Sequence, residues 1–161
     1  MSNHELARAR AELHASGATW ALLTSPENVT YVSHYEVPVE FGPLAHLNYG
    51  PVTALISVEE AETILVANQH YADAARKQSS FDTIIGFGIL EVFAPFAKQV
   101  GRDNYIAALR QALQQSGIGK QHVKVAVEER TLPLVALQVL QAELPNVELI
   151  EAGPALARAR I

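Results

Sequence analysis

A chain of 161 residues with 49% hydrophobic and 18% charged residues has enough apolar mass for one packed domain, which argues against disorder. A formal net charge of −5, with no stripe of Lys or Arg, disfavours a nucleic-acid partner and an anionic membrane surface. The absence of cysteine rules out disulfide frameworks and thiolate metal sites and fits a cytoplasmic setting.

The opening segment, MSNHELARARAELHASG, is charged and amphipathic and lacks the apolar centre of a signal peptide. Leu6, Ala9, Leu13 and Ala15-Ser16 lie on one face at helical spacing over residues 4–16, with Ser2 or Asn3 as the N-cap and Gly17 ending the helix. Residues 20–24 are continuously apolar, as in a central strand covered on both faces. Ser25, Pro26 and Glu27 then carry helix-start chemistry, and Val29 and Val32 face inward. Residues 33–50 have no period and hold Tyr35, Phe41, His46 and Tyr49 among prolines and glycines. A long irregular loop with this aromatic content points to function.

Residues 51–57 and 63–67 read as two strands joined by an acidic turn, hence a hairpin. Asn68 caps a helix to Lys77 with Tyr71, Ala74 and Ala75 as its apolar face. Residues 81–86 form the fourth strand, and 87–101 is ambiguous around Pro95. Asp103 caps a helix to Gln115 carrying Ile106, Leu109 and Leu113, ended by Gly117 and Gly119. Residues 123–127 are the fifth strand. A helix opened by Leu132 and Pro133 runs to Glu143 on Val135, Leu137, Val139 and Leu140. Residues 147–150 and 155–160 close the chain as a strand and a partial helix. Alternating strands and helices predict an α/β fold of three layers, α/β/α, with a mixed six-stranded sheet.

The chemistry-bearing residues are sparse. No pair of the six histidines has the i, i+4 spacing of a helical zinc site, although His34 and His46 share the long loop. Ser25 follows a strand, where a nucleophile can sit, but Pro26 and Glu27 behind it favour a helix cap. Gly86, Phe87 and Gly88 lack the third glycine of a dinucleotide loop, because Glu91 stands there. Glu59, Glu60 and Glu62 suit a solvated hairpin tip. Glu128, at the end of a buried strand, is placed to cap Thr131 or the following helix start, or to pair with Arg130. The loop residues Tyr35, Glu36, Phe41, His46, Asn48 and Tyr49 combine apolar faces with polar tips. They suit a small-molecule pocket, a protein interface or self-packing over the sheet edge.

Two blocks carry a family resemblance. GATWALLTSPENVTYVSHY resembles the opening G-x-D-A-L-L-x-T-S-P-x-N-I-x-Y-L-T-G-F of the creatinase, prolidase and aminopeptidase P family. VKVAVEERTLPLVALQVLQAELPNVELIEAGPALARARI resembles its V-G-V-E strand, Leu-Pro helix and closing linker helix. His34 and Tyr35 stand where many members have Gly-Phe, and the loop to Gly50 is longer than in a typical prolidase.

The resemblance implies the N-terminal domain of such an enzyme. Residues 1–161 form that single domain and carry no catalytic or metal-binding residue. The catalytic "pita-bread" domain is absent from the chain, and in the peptidase branch it holds divalent Mn, Co or Zn. The implied partners are that C-terminal domain and a second copy in a homodimer. The loop residues named above fall where substrate-gating or interface residues are expected. Two rival readings are a self-standing small-molecule-binding α/β module and, from Gly86 to Gly88 alone, a nucleotide-using enzyme.

Overall fold

The computed structural model describes residues 3–39, 49–88, 101–119 and 122–161. In chain order they form α1 (His4–Ala15), β1 (Trp20–Leu23), α2 (Pro26–Ser33), β2 (Thr53–Ser57), β3 (Thr63–Asn68), α3 (Gln69–Gln78), β4 (Thr83–Phe87), α4 (Gly101–Gln115), β5 (Lys124–Val127), α5 (Leu134–Glu143), β6 (Glu148–Glu151) and α6 (Gly153–Ala159). The six strands lie in the order β4-β3-β2-β1-β5-β6. Only β2 runs against its neighbours. It pairs antiparallel with β1 and β3, whereas β1 with β5, β3 with β4 and β5 with β6 are parallel.

Alternation along the strands sorts the core into two layers. Ala21, Leu23, Ala54, Ile56, Leu65 and Ala126 point to the face covered by α1, α2, α3 and α6. Leu22, Leu55, Ile64, Val66, Val125 and Val127 point to the face covered by α4 and α5. Burying each Leu, Ile or Val of these layers contributes about 1.5–3 kcal/mol, and β2 and β3 are buried along their whole length. This is the expected three-layer α/β/α sandwich. Among the described residues no helix is long and apolar enough to cross a membrane.

Local signals explain most element ends. Asn3 Oδ1 accepts from the Leu6 amide, and Gly17 leaves α1 at φ 88°. Asn68 caps α3 by accepting from the His70 amide at 2.9 Å. Gly117 ends α4 at φ 74°.

Three details differ from the sequence reading. Asp103 lies inside the first turn of α4, which starts at Gly101, and there its charge meets the positive end of the helix. In α3 the buried residues are Ala72 and Ala75, with Tyr71 and Ala74 only partly covered. In α5, Ala136 is buried in place of Leu137, which is half-exposed. In both helices a small residue lies on the buried face, which an apolar-periodicity count passes over. Most of the ambiguous stretch 87–101 lies outside the described residues.

Candidate functional site

In a sheet of this kind ligands bind beyond the carboxyl ends of the parallel strands. Two of the arrangements at that edge are built from opposite materials.

The first is a buried polar knot. Continuing the alternation past Ala126 puts Glu128 on the α2 side of the sheet, where its residue is only 6% exposed. Its Oε2 accepts from the Thr24 amide at 2.7 Å and the Ser25 amide at 2.9 Å. Its Oε1 accepts from Ser25 Oγ at 2.6 Å and from Asn28 Nδ2. A carboxylate has acceptor sites for all four donors. Ser25 Oγ in turn accepts from the Asn28 amide at 3.3 Å, so Ser25 is the α2 cap. At 3% exposure, with its proton committed to Glu128, Ser25 has no access to a substrate and is not a nucleophile.

Glu128 does not make the side-chain contacts expected from its neighbours in sequence. Its carboxylate reaches back about a hundred residues to the β1–α2 turn, while its backbone carbonyl accepts from the Thr131 and Leu132 amides. The partner of the carboxylate is set by strand pairing of β1 with β5, which local sequence does not encode. Asn28 Oδ1 is buried and has no hydrogen-bond partner among the described residues.

The second arrangement is a cavity of about 280 Å³, lined by Thr24, Pro26, Val37, Pro38, Tyr49, Gly50, Pro51, Val52, Asn68 and Tyr71. It sits where the antiparallel β2 enters the sheet between the ends of β1 and β3. Its walls are mostly apolar, and Thr24, Asn68 and the two tyrosines are its polar side chains. Gly50 is required by close approach, because a Cβ there would collide with Cε2, Cδ2 and Cγ of the Tyr105 ring. Tyr105 is held in turn by Phe87, edge to face at 5.3 Å, and by a 3.2 Å hydrogen bond between its hydroxyl and Thr53 Oγ1. Burial pushes the Tyr105 phenol up to about 12.

The expected loop residues divide around this cavity. Tyr49 is on its wall and 44% exposed. Glu36 is exposed to solvent. Tyr35 is 1% exposed, packed in the core with a hydroxyl that has no hydrogen-bond partner among the described residues. Burial, and secondarily the nearby Tyr71, raise the Tyr35 phenol above its ordinary value. Phe41, His46 and Asn48 lie outside the described residues. Sequence reasoning missed Pro26, Val37, Pro38, Gly50 and Tyr71 as cavity residues. Pro38 and Gly50, which belong to the irregular stretch, were available as a signal.

His34 pairs with Glu5 at 3.1 Å on the surface. Among the described residues no group of three His, Asp or Glu is placed to hold a metal ion. The hydroxyl, amide and apolar groups lining the cavity do not fit a transition metal. Gly88 spends its carbonyl on Asn104 Nδ2 at 2.9 Å, and Gly86 packs under the Gln69 side chain.

A sequence profile of the Creatinase/Prolidase N-terminal domain matches residues 5–161. Among solved structures, a proline dipeptidase from Streptococcus pneumoniae TIGR4 superposes with a TM-score of 0.66 at 17% identity, covering 99% of this chain and 98% of that one. The N-terminal domain of the cytoplasmic peptidase PepQ from Mycobacterium tuberculosis H37Rv gives a TM-score of 0.62 at 22% identity, covering 99% and 100%. A dipeptidase from Pyrococcus horikoshii OT3 gives 0.66 at 13% identity over 97% of this chain, which spans only 36% of the Pyrococcus one. At these identities the superpositions establish the fold alone.

Proposed function

Since the chain belongs to the Creatinase/Prolidase N-terminal domain family, we propose that it is the non-catalytic N-terminal domain of a hydrolase of the Xaa-Pro peptidase or creatinase kind, working in the cytoplasm. Its part is to shape substrate entry and to contribute to a homodimer, while a following C-terminal domain performs the chemistry. The observation that supports this most directly is the cavity. Both described ends of the aromatic loop, Val37 and Pro38 on one side and Tyr49 on the other, converge on its wall. A divalent Mn, Co or Zn ion, where the reaction uses one, belongs to residues of that following domain, and the donors among the described residues do not suit it.

The test is paired. The chain of residues 1–161, assayed on Xaa-Pro dipeptides and creatine with Mn²⁺ or Co²⁺, is expected to be inactive, and robust turnover overturns the reading. In the full-length protein, Tyr49→Ala is expected to raise KM several-fold and to change stability by less than about 1 kcal/mol, because nearly half of the residue is exposed.

The cavity also supports the second reading, a self-standing small-molecule module. Saturable binding of a small apolar ligand by the isolated chain, with an open reading frame that stops at Ile161, favours it.

A further inference from the structure

We propose that Tyr31 is a positioning residue through which α2 ties the end of the chain to the wall of the cavity. The proposal rests on the reading above, in which a catalytic domain follows residue 161. It adds the route by which that domain and the cavity sense one another.

The end of α6 is gripped from α2. The Tyr31 hydroxyl donates to the Ala159 carbonyl at 2.7 Å. That carbonyl lies in the last turn of α6, where helix geometry leaves no partner within the helix. The Arg160 guanidinium lies 5.8 Å from the centre of the Tyr31 ring, within cation–π range. Ala155, Leu156 and Ala159 are buried in the same core layer as Val29 and Val32 of α2. Arg158 reaches Glu12 of α1 at 2.7 Å, an exposed pair worth little by itself. The last helix is thus seated in the domain and aimed by it.

The same eight residues of α2 hold the cavity wall. Pro26, the first residue of the helix, lines the cavity. One residue before Tyr31, Thr30 Oγ1 accepts from the Val37 amide at 3.2 Å, and Val37 and Pro38 form the wall. Two residues after it, Ser33 Oγ accepts from the Tyr35 amide at 3.1 Å. Ser33 Oγ also donates to the Val29 carbonyl. A short helix moves as a rigid unit, so a shift of the α6 end is carried through Tyr31 to Val37 and Pro38, and the reverse holds by linkage.

Tyr31→Phe tests this, since it keeps the ring beside Arg160 and removes only the bond to Ala159. Hydrogen exchange on residues 1–161 is expected to speed up about 3–10-fold at the amides of 157–161, with a parallel increase at 35–37. Unchanged exchange, or an increase confined to 157–161, overturns the coupling. Arg160→Gln, which leaves the hydroxyl bond in place, is expected to give a smaller change in the same two segments, and a change in neither overturns the cation's share. In the full-length protein Tyr31→Phe is expected to raise KM for an Xaa-Pro dipeptide about 3–10-fold with kcat held within twofold. A fall confined to kcat overturns the positioning role. Should the full-length wild type turn over no dipeptide, the functional reading fails, while the exchange measurement still decides the coupling.

Discussion

The knot at Glu128 and the cavity at Gly50 share the carboxyl edge of one sheet, yet they do opposite work. In the knot, four donors converge on one carboxylate, the residues are almost fully buried, and no atom of Glu128 or Ser25 is left for a ligand. In the cavity, apolar walls enclose space, Tyr49 is open to solvent, and the polar groups are few. A carboxylate at a strand's end beside a serine invites a catalytic reading. Burial and a complete set of donors show that it is a structural fastening between β5 and the β1–α2 turn. The position at the sheet edge therefore does not by itself make a site; unfilled space does.

The largest expected effect breaks the knot. Glu128→Ala leaves two backbone amides, a hydroxyl and an amide nitrogen buried without an acceptor, and is expected to destabilise the domain by about 3–5 kcal/mol in urea unfolding. A loss under 1 kcal/mol would show that water replaces the carboxylate and that the fastening is dispensable.

The next effect probes the support beneath the cavity through pH. Folding holds the Tyr105 proton more tightly, raising its pKa from 10.0 to about 12. Its contribution is complete below pH 10 and is lost as the pH climbs from 10 to about 12, a loss of about 2–3 kcal/mol. Tyr35 titrates in the same direction. Urea midpoints measured across that range should fall steeply in the wild type and less steeply in Tyr105→Phe. Equal slopes in the two proteins would remove Tyr105 from the account.

The smallest of the three is Gly50→Ala, expected to cost about 1–3 kcal/mol as the Tyr105 ring gives way, and to reshape the cavity without touching the knot. A crystal structure of the variant with an unmoved ring would contradict the close approach.

Much of this was legible along the chain. The order of helices and strands follows from apolar period and cap residues, and Ser25, Asn3 and Asn68 cap as their local sequence predicts. The family resemblance rested on SPEN near one end and VAVEE near the other. The structure gives a reason for reading them together, because Ser25, Asn28 and Glu128 meet in one knot. His34 stands where many members have glycine, and it adopts φ 59°, the left-handed conformation that glycine takes at least cost.

Local sequence determined most of the elements, the caps at Asn3, Ser25 and Asn68, and the fold class, because helix periodicity, strand alternation and capping act within a few residues. Tertiary structure alone decided which side of the sheet Glu128 faces and what it binds, why Tyr35 is core while Tyr49 borders a cavity, and how Tyr31 comes to hold Ala159. The contacts of Glu128 and of Tyr31 join residues a hundred or more positions apart, and such contacts exist only once the strands have paired and the helices have packed.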